Sequence, residues 1–490
     1  MIRHRARGRL VLSAALIAAL LAGLGVRTAR ASGPVVFDAQ VNPNDGAGEP
    51  EVAVDLKDPN VVVDTYTKGV AVSRDGGRHW KTVIYDNNAG DPVVTSDADG
   101  RFFLTITSYG TDLVSSDGAR TWSPTGSPLH ANPLPFGSSP QDMSVHPSDG
   151  PVYWGPSVIG CDRPLITTDL STGTIYASCT DHGDQSGGEG SPTWPAYFAA
   201  CRSNVFSSGY ITNCGRRYVT ASKDRGRTWT PWAPEDAAGW PAGYTGAFDG
   251  IPVAAHGVLA TSYIAGAAPD SDCTQCVVFE TSTNGGATWR RHLVPGATAQ
   301  IASFSPFTPP GEIYVQYAAG GNDNQTMWFE PYVAADPALP GRFAIMVLDS
   351  TRTEMLVFET TDYGATWTGP AVVGDRVHRV DKPAMAFGPT GALGLMWKRV
   401  LGPSLSYDVW AAVSPTGTLS FGHPVRLSSA PSKEETCGLG GGEGQAYACD
   451  ELSWVTVDAT HLDGTWGDNR AGENPWFGRY DFSADPQFRR

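Results

Sequence analysis

One eight-residue pattern occurs five times in this chain and constrains its fold more than any other feature. It reads Ser/Thr-x-Asp/Asn-x-Gly-x-Thr-Trp, with single departures at the Gly and Thr positions, and its copies are Ser73–Trp80, Ser115–Trp122, Ser222–Trp229, Ser282–Trp289 and Thr360–Trp367. The Ser and Asp side chains can hydrogen-bond backbone groups of a tight hairpin turn, Gly supplies a positive φ, and Trp packs beneath the hairpin. The irregular spacing of the copies predicts one repeated structural unit with loop insertions of variable length.

The composition agrees with a large β protein. The 490 residues include 57 Gly and 37 Pro, and aromatic residues make up 10 %. A disordered acidic chain would have fewer aromatic residues, and a helix-rich protein would have fewer turn formers. A repeat architecture also allows one domain to exceed the usual domain length of about 150 residues.

The five copies resemble the Asp-box, or bacterial neuraminidase repeat, of the sialidase-like β-propellers. In that family the box links the third and fourth strands of a four-stranded blade. The resemblance therefore implies an all-β propeller whose blades can be traced backwards from each box.

A second repeat, in which an acidic residue opens an apolar strand, predicts the number of blades. Its copies start at Glu49, Asp91, Asp162, Asp249, Glu330, Asp381 and Asp450, and all but the last include a nearby Pro. Seven openings predict seven blades, whereas the resemblance to catalytic sialidases implies six as the alternative. The seventh blade has no box, and we expect Val35–Val41 to supply its fourth strand and close the ring, which removes exposed sheet edges.

The N-terminal segment is typical of a secretory signal peptide. Arg3, Arg5, Arg7 and Arg9 precede the apolar stretch Leu10–Gly25, and Ala29-Arg30-Ala31 forms a small-x-small cleavage site. We therefore predict a signal peptide over residues 1–31 and a single propeller domain over residues 32–490, secreted to the extracellular medium. A membrane anchor is the alternative, but the apolar stretch is short for a span.

The charge excludes some classes of partner. Residues 1–31 hold six Arg and no acid, so their removal changes the net charge from −15 to −21. A protein of this charge is a poor ligand for nucleic acid or an anionic membrane. We expect a monomer whose partner is a glycan or glycoconjugate.

Eight cysteines in an exported chain predict disulfides. Proximity in sequence suggests Cys201 with Cys214 and Cys437 with Cys449, and Cys273 with Cys276 is read as a short local disulfide. The overall connectivity stays open.

The acidic strand openings would gather around the mouth of the central channel, where three interpretations are open. They cap backbone amides in every blade, they bind a structural Ca²⁺, or two of them are the carboxylates of a glycosidase. No metal ligand is assigned, and no motif for a nucleotide or redox cofactor occurs.

Basic and aromatic residues lie at equivalent places and could hold an acidic sugar, because guanidinium groups bind carboxylates through two donors. The alternative is that they neutralise the acidic openings. The candidates for substrate binding are Arg163, Lys382, Arg399, Arg470 and Trp466.

The family resemblance is weaker at the active site. Catalytic sialidases carry an F/Y-R-I-P motif in the first blade, whereas this chain has Gly48-Glu49-Pro50-Glu51 there. By position, Asp64 is the closest counterpart of their acid/base Asp, and Asp91 is the second candidate for this role. No residue is assigned as the nucleophile. The resemblance implies a sialidase-like exo-glycosidase acting on an acidic sugar. The alternative is a non-catalytic propeller that binds glycan or protein at its channel face.

Overall fold

The computed structural model consists of seven four-stranded antiparallel sheets arranged as the blades of a β-propeller. Each blade runs outward from a first strand at the central channel to a fourth strand at the rim. The described residues are 35–42, 48, 50–85, 92–106, 111–126, 165–180, 217–231, 233–234, 244–245, 252–267, 274–298, 331–401, 406–432, 436–438, 446–448, 453–472 and 474–488.

The strands follow one another in chain order, four to a blade. In blades 1 to 3 they are β2 (Glu51–Val54), β3 (Val62–Tyr66), β4 (Gly69–Ser73) and β5 (Trp80–Tyr85); β6 (Val93–Ser96), β7 (Phe102–Ile106), β8 (Thr111–Ser115) and β9 (Ser123–Thr125); and β10 (Leu165–Thr168), β11 (Ile175–Thr180), β12 (Arg217–Ser222) and β13 (Ala233–Pro234). Blade 4 has a fifth strand, β14 (Tyr244–Thr245), besides β15 (Val253–Ala255), β16 (Val258–Ala267), β17 (Thr274–Ser282) and β18 (Arg290–Thr298).

Blades 5 and 6 have the same order, and blade 7 joins the two ends of the chain. Their strands are β19 (Tyr332–Ala335), β20 (Phe343–Leu348), β21 (Glu354–Thr360) and β22 (Thr368–Gly374); β23 (Val380–Phe387), β24 (Leu393–Val400), β25 (Tyr407–Ser414) and β26 (Val425–Arg426); and β29 (Ser453–Val457), β30 (His461–Asp468), β31 (Asn474–Asp481) and β1 (Val35–Gln40). A separate hairpin pairs β27 (Thr436–Gly438) with β28 (Ala446–Ala448).

The predicted seven-bladed ring is confirmed, and the six-bladed alternative is excluded. Each of the seven strand openings leads into the first strand of a blade. The N-terminal strand pairs with β31 over six residues, from Val35 opposite Asp481 to Gln40 opposite Trp476. The ring is thus closed by a blade built from both ends of the chain.

The antiparallel order gives the ring two faces. First strands begin and second strands end on one face, called here the opening face. First strands end on the other, the hairpin face, which also carries the five box turns because third strands end there. Apolar side chains pack between neighbouring blades, as between Phe279 of blade 4 and Phe343 of blade 5, whose ring centroids lie 5.2 Å apart.

The five turns share one hydrogen-bond pattern. In the first, the Ser73 hydroxyl donates to Asp75 at 2.9 Å and accepts from the Gly77 amide at 2.8 Å, while the His79 amide donates to Asp75 at 2.9 Å. The same three bonds occur at Ser115, Ser222, Ser282 and Thr360. The local turn chemistry predicted from the sequence is therefore present in all five copies.

The tryptophans of these turns also join blades. Trp80 lies edge-on to Phe477 of blade 7, and Trp367 lies edge-on to Phe279 of blade 4, each with 5.2 Å between centroids. Trp229 donates its indole N–H to the carbonyl of Gly126 in blade 2 at 2.9 Å. The turn thus fixes a blade to the blade before it as well as closing its own hairpin.

We expect Gly286→Ala to destabilise the protein more than Gly285→Ala. Both glycines have positive φ, +91° and +70°, so an Ala at either site costs about 1 kcal/mol of backbone strain. At Gly286 the added Cβ would also lie 1.9 Å from Val219 Cγ2 of blade 3, whereas at Gly285 the nearest heavy atom is 4.0 Å away. Guanidinium unfolding of the two variants measures the difference, and equal midpoints would contradict the blade contact.

Within the described ranges, no helix has the length and hydropathy needed to cross a membrane.

Candidate functional site

The central channel is lined by the first strands of all seven blades and encloses about 190 Å³. Among the described residues its wall is neutral, with hydroxyl groups such as Thr95 and Thr168 between apolar and aromatic side chains such as Met385 and Trp454. No Asp, Glu, Lys or Arg of the described part of the chain lines it. A charged ligand would therefore find its partners at the rim of the channel.

Of the seven acidic strand openings, only Asp381 belongs to the described residues. It lies within β23, is 3 % exposed, and accepts a hydrogen bond from the backbone amide of Lys382 at 3.1 Å. This contact corresponds to the capping interpretation of the openings. Six openings lie outside the described residues, as does the candidate Arg163; they are Glu49, Asp91, Asp162, Asp249, Glu330 and Asp450.

A different set of buried aspartates marks the opposite ends of the first strands. Each follows the last strand residue directly and accepts a hydrogen bond from the backbone amide two positions on, at 2.6–2.9 Å; they are Asp55, Asp97, Asp169, Asp336 and Asp458. No role was predicted for them from the sequence, although Asp immediately after a short apolar run is a signal for such a turn. They stabilise the hairpin face, so the repeated acids of this fold include a structural set.

Two of these aspartates also connect to the next blade, Asp169 directly and Asp336 through Arg342. Asp169 accepts from the amide of Gly257 in blade 4 at 2.6 Å. Asp336 accepts from Arg342 at 2.9 Å, and the same nitrogen of Arg342 donates to the carbonyl of Gly391 in blade 6 at 3.0 Å. The hairpin face is therefore held together by buried hydrogen bonds between blades.

Asp64 lies within the second strand of blade 1 and is completely buried, at 0 % exposure. Burial raises the pKa of Asp64 well above its usual range; Thr465 of blade 7 lowers this pKa in part, and Glu51 raises it further. The family position that suggested Asp64 is a loop between strands 2 and 3, whereas this residue stands inside the strand. Its carboxyl group has no access to a ligand in this arrangement.

The candidate cations of blade 6 lie on the opening face. Lys382 follows Asp381 at a β-bulge in β23, has a φ of +42° and is 4 % exposed. Lys398, opposite Asp381, is 2 % exposed and places its ammonium 4.5 Å from the ring centroid of Tyr407. Since Ala384 lines the channel, this pair stands at its rim.

Arg399 is held in one orientation. Its Nε and Nη2 both donate to Asp408 at 2.9 Å, and its guanidinium carbon lies 4.3 Å from the ring centroid of Trp410. Its Nη1 lies 3.6 Å from Asp375, and Trp410 donates to Asp408 at 2.7 Å. The arrangement satisfies most of the donors of Arg399, in agreement with the neutralisation alternative.

Arg426 shares the same carboxylate but is less constrained. Its Nε lies 3.3 Å from Asp408, and yet neither Nε nor Nη2 has a hydrogen-bond partner. The side chain is 34 % exposed. No role was predicted for Arg426 from the sequence, since it stands in a two-residue strand with no motif around it.

Arg470 and Trp466 form a structural cluster in blade 7. Arg470 donates to Asp38 at 2.7 Å and to Ser429 at 3.1 Å, lies 3.0 Å from Asp468, and stacks on Trp476 with 3.7 Å to the ring centroid. Trp466 is 0 % exposed and donates to Asp468 at 3.0 Å. The cluster joins the N-terminal strand to blades 6 and 7 and is separate from Arg399.

The opening face of blades 5 and 6 carries more basic than acidic side chains among the described residues. The seven basic ones, called here the basic edge, are Arg352, Arg376, Arg379, Lys382, Lys398, Arg399 and Arg426, beside five acids, Asp349, Glu354, Asp375, Asp381 and Asp408. A local positive excess is notable in a chain of net charge −15. In the described part of the chain no cluster of three or more His, Cys, Asp or Glu side chains has the arrangement of a metal site.

Comparison with known proteins adds distant structural neighbours. No protein-family model matches the chain, and no curated protein matches its sequence. One similar solved structure is the Hadza microbial sialidase Hz136, with 14 % identity, a TM-score of 0.45 and coverage of 87 % of this chain and 74 % of that chain. Another is a protein of unknown function from Dyadobacter fermentans, with 14 % identity, a TM-score of 0.44 and coverage of 91 % of this chain and 97 % of that chain. A third is YCF48 bound to D1 peptide, with 12 % identity, a TM-score of 0.40 and coverage of 93 % of this chain and 99 % of that chain. At these identities the likeness concerns the propeller fold alone.

Proposed function

We propose that this protein is a secreted, monomeric β-propeller that binds an acidic glycan or glycoconjugate at its basic edge. The observation that supports this is the pair of guanidinium groups on Asp408, one of which, Arg426, is about one-third exposed, while its buried Nε and Nη2 have no hydrogen-bond partner. A carboxylate or sulfate of a glycan is an acceptor of matching charge and geometry.

The neighbouring aromatic ring favours a sugar over a bare anion. Trp410 is half-buried, and its position is fixed by the hydrogen bond to Asp408 and by Arg399 over its ring. A rigid, partly exposed aromatic ring offers an apolar surface for a pyranose beside the cations. Charge and ring together support an acidic sugar as the ligand class.

Hydrolysis is a second candidate function, and one observation favours it. The raised pKa of Asp64 has the direction of shift that a general acid requires. Its complete burial argues against contact with a substrate. Binding without turnover is therefore the function better supported.

We expect Arg426→Gln to weaken binding of sialylated or uronate-bearing glycans by about tenfold to a hundredfold. This range corresponds to the loss of one charge-assisted hydrogen bond of about 1.5–3 kcal/mol. Titration calorimetry measures the affinity, and a separate assay of released monosaccharide measures turnover. Lys81→Gln, at an exposed site on the outer strand of blade 1, makes the same change of charge away from the basic edge and should bind as the parent does.

Two results would contradict the proposal. One is equal affinity of the parent and Arg426→Gln for every acidic glycan tested. The other is equal binding of neutral and acidic glycans by the parent. Release of monosaccharide by the parent would support the hydrolytic candidate instead.

A further inference from the structure

Among the described residues, two carboxyl groups are buried without a hydrogen bond of normal length and angle to either oxygen. They belong to Asp64 in β3, which is 0 % exposed, and Asp112 in β8, which is 4 % exposed, and each has one threonine hydroxyl near it, that of Thr465 and of Thr105. Other buried aspartates are bonded, such as Asp336 and Asp463, each of which binds an arginine. An ionised carboxylate buried without a partner is strongly unfavourable, so both groups favour the protonated form.

Asp64 lies at the interface through which the ring is closed. Val62 and Tyr66, which point to the same side of β3, pack with Phe477 of blade 7, and the pKa of Asp64 responds to Thr465 of that blade. The Thr465 hydroxyl itself donates to the carbonyl of Trp476 at 3.1 Å.

No basic side chain of the described residues compensates Asp64. Its acidic neighbour is Glu51 on β2, which raises its pKa. At the same interface Arg479 is engaged by Asp463 through two bonds of 2.6 Å, and the Tyr66 hydroxyl is bonded to Asn42 and Thr82. Ionisation of Asp64 would therefore place an uncompensated charge between blades 7 and 1.

Asp112 lies at the interface of blades 2 and 3. It lines a cavity of about 10 Å³ together with Thr105 and Thr125 of its own blade and Ile166, Ile175 and Trp229 of the next. Burial raises the pKa of Asp112 well above its usual range, and the nearby Thr105 lowers it only in part. The charged residues of the turn packed against it are Asp224, which is half-buried, and Lys223, Arg225 and Arg227, which are exposed, and none of them contributes to this pKa.

We propose that Asp64 and Asp112 form a pH-sensitive latch: each must carry a proton for its blade interface to close, so the ring is tightest in acidic surroundings and loosens as they ionise. The inference is independent of the glycan site, because neither residue belongs to the basic edge.

The sign follows from proton linkage. In the unfolded chain both groups have a pKa near 3.9 and ionise above it, whereas in the fold they keep their protons to higher pH. The unfolded state therefore binds fewer protons between the two pKa values, and stability falls as pH rises. Each group lowers the folding equilibrium constant by about tenfold per pH unit in that window and adds no further loss above its folded pKa.

The test compares the pH dependence of unfolding in the parent, Asp64→Asn, Asp112→Asn and the double variant, by guanidinium titration from pH 4.5 to 9. We expect the parent to lose stability steeply over this range, each single variant to lose less, and the double variant to be the least dependent on pH. Because an Asn amide has its own burial cost, the slope with pH is the readout rather than the stability at one pH. Asp58→Asn, which removes an exposed carboxylate, should keep the slope of the parent.

A second measurement needs no variant to fold. Infrared spectra of the native parent should keep a band of protonated carboxyl groups above the pH at which exposed aspartates ionise, and the loss of this band as the pH rises further should accompany lower amide protection factors in β3 and β8. The latch is overturned if parent and double variant have parallel pH slopes, or if the native parent has no protonated carboxyl groups above the pH at which exposed aspartates ionise.

Discussion

A chain shortened to begin at Asn42 is expected to lose its cooperative fold. The missing strand, β1, pairs with β31 over six residues, and with it Val41, which is 3 % exposed, leaves the core. Hydrogen bonds contribute about 1 kcal/mol each to the free energy of unfolding and a buried Val about 2 kcal/mol, so the shortened chain loses at least about 5 kcal/mol of stability. That is comparable with the whole stability of an ordinary domain. Near-UV circular dichroism and thermal unfolding of the shortened chain measure it.

The N-terminal strand also carries a charged residue, Asp38, that helps to close the ring. Asp38 of β1 accepts hydrogen bonds from Arg470 at 2.7 Å and from the amide of Ser429 at 2.9 Å, so its loss also leaves a cation without that partner. A synthetic peptide of residues 32–42 should restore part of the native signal to the shortened chain. A shortened chain that unfolds at the same temperature as the parent would contradict closure by the N-terminal strand.

The second large effect is expected for Arg342→Met. Arg342 is 2 % exposed and donates to Glu359 at 2.6 and 2.8 Å, to Asp336 at 2.9 Å, and to carbonyls of Gly391 and Thr418 in blade 6. Removing one partner of a buried ion pair costs about 3–5 kcal/mol, because the remaining carboxylates are left buried and uncompensated. Denaturant unfolding of the variant measures this cost.

A matched surface variant separates burial from charge. Arg376→Met removes an Arg–Glu contact of 2.6 Å whose Arg side chain is 78 % exposed, and such pairs contribute at most about 1 kcal/mol. Both variants replace an Arg with Met: Arg342 directly precedes β20, and Arg376 lies in the segment that follows β22. Equal losses of stability would show that the buried contacts of Arg342 do not hold blades 5 and 6 together.

Much of the architecture could be predicted because it is encoded locally. The hydrogen bonds of a turn such as Ser73–Trp80 span four residues or fewer, so the pattern appears directly in the sequence. The seven strand openings then predicted seven blades. Because the seventh blade lacked the repeated turn and a fourth strand, Val35–Val41 was predicted to complete it. Blade 6, in which Ser414–Phe421 is only a degenerate copy of the pattern, was predicted mainly from its opening.

The candidate site was less predictable because charge pairing depends on neighbours that are distant in sequence. Arg399 and Arg470 were predicted to bind substrate, and the structure gives both carboxylate partners and an aromatic ring. Asp64 was chosen by position in the family and lies buried within a strand. Arg426 was not singled out at all, because its contact with Asp408 and its buried, unpartnered donors depend on the pairing of β25 with β26.

The sequence by itself therefore determined the repeating unit, the number of blades and the strand that closes the ring, because turn chemistry and strand periodicity act over a few residues. The tertiary structure decided which charges meet. Arg470 and Asp38 are 432 positions apart, and Arg342 reaches Thr418 across a blade interface. Such contacts follow from the closure of the ring, and no local pattern records them. Three of the five turns of the repeated pattern also connect blades, through the tryptophans Trp80, Trp229 and Trp367, which contact the preceding blade.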